Sequence, residues 1–270
     1  MFTQQPWTTT AGEKTPTTSG KTTIRSVFII VTNLDFLIQH FATLPWHGAQ
    51  SRFNTGEKIR GRNKDGSVHW TGHVLNMTSQ RWLTDAETSR SLWWHYLVVI
   101  KPSNYDEQHS KNGTLWITDG KNTDDIPTRT NYNMLICSEL AMGTGLITGC
   151  LFQIPNQNMV FADDPEQRSR QEDAIIAYTW DHFLKNPEDT EWLLRFPMTK
   201  ASLRAMDTIT DFAYQELGIK NLDYYLVTGA SKRGWTAWDV GAVDQTGRVQ
   251  AIAPVVLDAI NFIAVEHHQW

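Results

Sequence analysis

From Gly56 onward, apolar segments of strand length alternate with longer segments in which apolar residues recur at three- and four-residue steps. Strands separated by helices in this way usually join one parallel sheet through crossover helices. The pattern therefore predicts an α/β fold with a mostly parallel sheet and flanking helices. The predicted strands are 68–83, 93–101, 115–118, 146–154, 224–228 and 249–257, and the predicted helices are 131–142, 172–184, 200–217 and 234–243.

The length of 270 residues, with 40% hydrophobic and 20% charged residues, fits one large globular domain. Residues 1–55 differ from the rest, because a Thr-rich leader and an ambiguous apolar segment precede a polar stretch. We therefore divide the chain into a divergent, poorly determined segment, 1–55, and a domain that begins at residue 56 and continues to residue 270.

Charge and composition exclude several classes of protein. The formal net charge of −5 and the absence of a basic block argue against nucleic-acid binding. No basic region followed by an apolar stretch opens the chain, so no secretory signal is visible, and no apolar run is long enough to span a membrane. Cys137 and Cys150 are too few for a metal site, and we favour two separate buried thiols over a disulfide between them. We expect neither a metal nor a cofactor.

The segment from Leu226 to Trp235 carries the strongest chemical signal. It places Ser231 between a predicted strand and a predicted helix, directly after the small residues Gly229 and Ala230. A nucleophilic serine on a sharp strand-to-helix turn needs small neighbours, because its backbone is strained there. The usual pattern is Gly-x-Ser-x-Gly, whereas here the second glycine arrives one residue later, at Gly234. An ordinary helix N-cap serine is the alternative interpretation.

An acyl-transfer site also needs donors for the oxyanion. In this architecture the first donor is the N–H of the residue after the nucleophile, here Lys232. The loop after the third predicted strand would supply the second, and it contains Gly120, Lys121 and Asn122. A simple Asp-Gly turn is the alternative for that loop. The side chains of Lys232 and Arg233 fit either cations near an acidic substrate or a buried Arg paired with a carboxylate.

A serine nucleophile also needs a base oriented by a carboxylate, in the chain order Ser, acid, His. Asp258 directly follows a predicted strand and is a possible acid, although a helix N-cap is the competing role. His267 and His268 come too early in this order to be the catalytic histidine, so no base is assigned. We expect a domain truncated before its final strands, and therefore an inactive chain. The acidic and histidine residues that follow Ser231 are Asp239, Asp244, Asp258, Glu266, His267 and His268.

Several stretches, in this order, resemble landmarks of the PhoPQ-activated pathogenicity-related protein family, which includes proteins similar to autocrine proliferation repressors. They are 72–80, 93–95, 196–201, 204–207 and 229–235. The resemblance covers about residues 56–270. It implies an α/β-hydrolase fold with Ser231 at the nucleophile position, in a family that is generally exported. Residues 1–55 match nothing in that family.

Two functions from different classes remain open. The first is a serine hydrolase that cleaves an ester or amide through an acyl-enzyme at Ser231, on a substrate that the sequence does not identify. The second is a secreted signal that uses the hydrolase scaffold to bind a cell-surface receptor without catalysis. An incomplete or decayed copy without a function of its own is a third interpretation.

Overall fold

The computed structural model describes residues 52–107 and 111–257. Within these residues the chain forms a mixed sheet of seven strands with helices on both faces, the α/β-hydrolase-type arrangement. The strands are β1 (Arg52–Arg62), β2 (Val68–Arg81), β3 (Leu92–Pro102), β4 (Asn112–Ile117), β5 (Ile147–Leu151), β6 (Tyr224–Ala230) and β7 (Val249–Val255). The helices are α1 (Tyr132–Thr144), α2 (Asp173–Lys185), α3 (Arg195–Leu217) and α4 (Lys232–Val243), with a short 3-10 turn at Thr190–Trp192.

The strand order is β1-β2-β3-β5-β4-β6-β7. The pairs β1·β2, β2·β3 and β3·β5 are antiparallel, whereas β5·β4, β4·β6 and β6·β7 are parallel. Five of the seven described strands consequently run in one direction. The carboxyl ends of β4, β5 and β6 meet at one edge of the sheet, which is where open α/β sheets hold their ligands.

Two apolar clusters cover the two faces of the sheet. The larger one packs α3 and α4 against the central strands, through fully buried side chains such as Ile209, Phe212 and Val240. The smaller one packs α1 against the other face, through Met134, Cys137 and their neighbours. This sandwich of helix, sheet and helix holds the strand ends rigidly and so fixes the loops that leave them.

The structure bears out the predicted elements from residue 68 onward, with shifted ends. Helix α3 begins at Arg195, five residues before the predicted start. It ends as predicted at Gly218, whose φ of 70° is the left-handed C-cap conformation. In the described part of the chain, no helix is both long enough and apolar enough to cross a membrane.

Two features differ from the sequence interpretation. Strand β1 was not predicted, and it begins at Arg52, inside the segment taken as divergent. The prediction of separate thiols was wrong, because Cys137 on α1 and Cys150 on β5 form a disulfide with a Cα–Cα separation of 6.0 Å. The two cysteines pair because α1 packs directly on β5, and this packing could not be predicted from the sequence alone.

Candidate active site at the end of strand β6

Ser231 lies in the turn between β6 and α4, and its side chain is exposed. Its backbone has φ 56° and ψ −122°, outside the regions that side-chain-bearing residues normally occupy. Such a conformation costs about 1–3 kcal/mol and persists only where the surroundings impose it. The Ser231 N–H donates to the Val255 carbonyl of β7 at 2.8 Å, and its own carbonyl accepts from the Trp235 N–H at 3.0 Å. The Ser231 hydroxyl makes no capping bond to the helix, so the N-cap interpretation does not describe this turn.

Two glycines allow this turn to form. A Cβ added at Gly229 would lie 2.8 Å from the Arg233 carbonyl oxygen, closer than carbon and oxygen approach without strain. A Cβ at Gly234 would lie 2.9 Å from the Val255 carbonyl oxygen and 3.0 Å from that of Gly229. Helix α4 therefore starts almost in contact with β6 and β7. The glycine displaced by one position from the usual motif has a steric role of its own.

The predicted oxyanion loop emerges beside Ser231. In the parallel pair of β4 and β6, Ile117 lies opposite Gly229, so the residues that follow each strand leave the same edge side by side. Within the loop, the Lys121 N–H donates to Asp124 Oδ2 at 2.6 Å and the Asn122 N–H donates to the Gln157 carbonyl at 2.5 Å. Both groups are therefore engaged by internal acceptors, which argues against them as free donors.

Gly120 and Lys232 remain the donors that this geometry leaves available. In the described part of the chain, the Gly120 N–H donates to no acceptor, and the φ of Gly120 is 128°, a conformation suited to glycine. Lys232 is the first residue of α4, where N–H groups have no intrahelical acceptor and the helix dipole favours negative charge. One donor from each loop matches the arrangement that oxyanion holes use.

A partly buried ion pair anchors the start of α4. The Arg233 guanidinium donates through Nη1 to Glu172 Oε2 at 2.9 Å and through Nη2 to Glu172 Oε1 at 2.5 Å. Its Nε donates to the carbonyl of Ile154 at 2.6 Å. Arg233 thus connects α4 to the segment leaving β5 and to the residue before α2. This confirms the alternative in which a buried Arg pairs with a carboxylate.

Glu172 was not identified from the sequence as part of the site. Like Ser231, it has an unusual backbone, with φ 52° and ψ −125°. Burial would raise the pKa of Glu172, but hydrogen bonds and charge from Arg233, together with Gln157 and Lys232, outweigh burial and lower it. The Lys232 ammonium lies 3.2 Å from Glu172 Oε2 and 3.0 Å from Asp173 Oδ1. The Lys232 side chain is therefore held by carboxylates.

The candidate acids after Ser231 have other partners or lie outside the described residues. Asp239 is buried and pairs with Arg195, and the Asp244 carboxylate accepts hydrogen bonds from Thr246 and the Val249 N–H. Asp258, the possible catalytic acid, lies outside the described residues, as do Glu266, His267 and His268.

Two of the described histidines have structural partners. The His95 Nδ1 donates to the Phe152 carbonyl at 3.1 Å, and Ser79 Oγ lies 2.9 Å from its Nε2, in a pair that is buried. His182 stacks on Trp192 and contacts Asp189 at 3.0 Å. Within residues 52–107 and 111–257, no group of three or more His, Cys, Asp or Glu side chains is arranged to hold a metal ion.

Comparison with known proteins identifies relatives over most of the chain. A model of the PhoPQ-activated pathogenicity-related protein family matches residues 57–270. Autocrine proliferation repressor protein A of Dictyostelium discoideum is 34% identical over 203 residues, which are 74% of this chain and 38% of that protein. The chain therefore spans well under half of the length of this curated relative.

Solved structures give more distant matches. A Bacteroides fragilis protein provisionally named an acetyl xylan esterase matches with a TM-score of 0.45 and 11% identity, over 81% of this chain and 51% of its own. A CE15 glucuronoyl esterase from Teredinibacter turnerae matches with a TM-score of 0.43 and 14% identity, over 77% of this chain and 46% of its own.

Proposed function

We propose, since the chain belongs to the PhoPQ-activated pathogenicity-related protein family, that its α/β-hydrolase scaffold performs acyl transfer with Ser231 as the nucleophile. The substrate class is an ester or an amide. The observation that carries the proposal is the backbone of Ser231, which is held at φ 56° and ψ −122° with an exposed side chain that does not cap α4. A serine that caps a helix ordinarily has an extended backbone and accepts a first-turn N–H through its hydroxyl, and Ser231 does neither.

The proposed chemistry begins when a general base, which the sequence leaves unassigned, takes the Ser231 hydroxyl proton while Oγ attacks the acyl carbon and forms a tetrahedral intermediate with a negatively charged oxygen. The same base returns that proton to the leaving oxygen or nitrogen. The N–H groups of Lys232 and Gly120 stabilise that oxygen, the first aided by the dipole of α4. Collapse of the intermediate expels the alcohol or amine and leaves Ser231 acylated, and water then releases the acid. Asp258 stays our candidate for the carboxylate that orients the base.

Labelling by a fluorophosphonate tests this proposal, because the probe reacts with activated serine nucleophiles. The experiment uses the 270-residue chain and a form that carries whatever coding sequence adjoins it, since the curated relative is longer. Ser231→Ala should abolish labelling. Ser67→Ala, at an exposed serine in the turn between β1 and β2, is the matched control and should leave labelling intact. A folded long form that takes up no probe would argue against acyl transfer.

A second candidate function is non-catalytic signalling through a receptor on the cell surface. The name of the Dictyostelium discoideum relative favours it, because that protein is described as an autocrine proliferation repressor. The Cys137–Cys150 disulfide also supports export, since disulfides persist mainly in oxidising compartments. Saturable binding of the Ser231→Ala variant to intact cells, equal to that of the wild type, would favour this function over catalysis.

A further inference from the structure

A cleft lies at the opposite end of the strands from Ser231. Its cavity measures about 520 Å³, within the range of small-molecule sites. It is formed where β3 ends at Pro102, and the antiparallel pairing of β3 with β5 puts that end beside the start of β5. Ser231 follows the carboxyl end of β6, so the two sites are separated by the length of the strands. The residues that line it include Lys58, Arg60, Thr71, His73, Lys101 and Tyr105.

Strand register brings two of the cations into one row. Arg60 on β1 pairs with Thr71 on β2, and Thr71 pairs with Lys101 on β3. Directly opposed residues share a face of the sheet, and neighbouring strands are about 4.8 Å apart. Arg60 and Lys101 therefore start about 10 Å apart, with the Thr71 hydroxyl between them. Two long cationic side chains on either side of a hydroxyl can close on a single anion.

The next row adds charge to the same face. Lys58 pairs with His73 there, two residues along each strand from the first row. The pKa of His73 is lowered, first by burial and then by the charges of Lys58 and Arg60, against an opposing effect of Glu216. His73 is therefore neutral near pH 7, and the cations set the local potential.

Few carboxylates in the described part of the chain lie close enough to pair with these cations and so compete with a bound anion. Among the described residues, no carboxylate oxygen lies within 4.0 Å of the Lys58, Arg60 or Lys101 side-chain nitrogens. Lys101 instead stands over the ring of Tyr105, with Nζ 5.2 Å from its centroid. Glu107 is the one carboxylate among the described residues that line the cleft. A concave site with three cations and one carboxylate concentrates anions, although the whole chain carries a net charge of −5.

We propose that this cleft binds a phosphate or sulfate ester, with its tetrahedral anion seated over Thr71 between Arg60 and Lys101. Guanidinium and ammonium groups hold such anions by charge-assisted hydrogen bonds. Tyr105, which also lines the cleft and packs on the same face of the sheet, offers apolar surface to the organic part of the ester. The proposal does not depend on acyl transfer at Ser231.

Isothermal titration of the 270-residue chain tests the proposal, with glucose 6-phosphate and glucose 6-sulfate as probes and uncharged glucose as the reference, at one fixed ionic strength. We expect saturable binding of at least one ester and none of glucose. If only one ester binds, the natural ligand carries that ester's group, phosphate or sulfate. If both bind, the cleft recognises the tetrahedral anion that the two esters share. No saturable binding of either ester overturns the proposal.

Variants locate the binding. Arg60→Gln and Lys101→Gln should each raise the dissociation constant about tenfold or more, because each removes a charged hydrogen bond to the anion. Lys64→Gln, at an exposed lysine in the neighbouring turn, is the matched control and should leave affinity unchanged, as should Ser231→Ala. Circular dichroism checks folding, and Lys58→Gln, at an exposed position, replaces any variant that unfolds. Equal affinity in the wild type, Arg60→Gln and Lys101→Gln overturns the proposal.

Discussion

Replacing Arg233 by Met should destabilise the fold through the start of α4. The change removes two hydrogen bonds to Glu172 and one to the carbonyl of the fully buried Ile154. An unsatisfied buried acceptor costs about 1–3 kcal/mol, and breaking a fully buried ion pair costs about 3–5 kcal/mol. The Glu172 side chain is 29% exposed and keeps Lys232 at 3.2 Å, so the second cost is reduced. We expect a total loss of about 2–4 kcal/mol in the free energy of unfolding.

Urea denaturation followed by tryptophan fluorescence measures this loss in a double-mutant cycle with Glu172→Gln. Because the two side chains contact each other, the double variant should lose less stability than the sum of the single variants, by about 0.5–3 kcal/mol. Lys185→Met is the matched control, since its exposed pair with Asp181 should contribute about 0.5 kcal/mol or less. Strictly additive losses, or an Arg233→Met variant as stable as the control, would refute the reasoning.

Three further predictions concern the buried His95, the turn between β6 and α4, and the disulfide. Burial lowers the pKa of His95 to about 4, against about 6.5 in an unfolded chain. The unfolded state therefore takes up the proton first, and the free energy of unfolding should fall by about 3 kcal/mol as the pH drops from about 6.5 to about 4. Urea titrations at stepped pH should show this decrease, and the His95→Gln variant should lack it. Gly234→Ala should cost about 1–3 kcal/mol or more and abolish probe labelling, because its Cβ meets two carbonyl oxygens; unchanged thermal unfolding would contradict this. Cys137→Ala should cost about 3 kcal/mol, because the disulfide closes a short loop; a reducing agent should lower the unfolding midpoint of the wild type and leave that of the variant unchanged.

Local sequence patterns predicted the parts of the fold that depend on neighbours along the chain. The strands from Val68 onward, the C-cap at Gly218 and the turn at Ser231 each have a signal within a few residues. Strand β1 lacks one, because it is a polar strand at the edge of the sheet whose side chains from Asn54 to Lys58 are exposed, so no apolar alternation marks it.

The rest of the candidate site depends on contacts between distant segments. Glu172 and Arg233 are 61 residues apart, and nothing in either local sequence indicates their pairing. The engagement of the Lys121 and Asn122 N–H groups depends on Asp124 and on Gln157, the latter from the segment after β5. Sequence reasoning could place the loop after β4 beside the turn after β6, but it could not tell which N–H groups of that loop were already in use.

We propose above that the strained turn holds Ser231 as a nucleophile. Mass spectrometry of the protein after fluorophosphonate treatment tests it most directly, by mapping the added mass to a single peptide. We expect an adduct on the peptide that contains Ser231 in the wild type and in Ser67→Ala, and no adduct in Ser231→Ala. The sample includes the longer form encoded together with any adjoining coding sequence. If that form is folded and carries the adduct on another serine, or carries no adduct, the proposed role of Ser231 is contradicted.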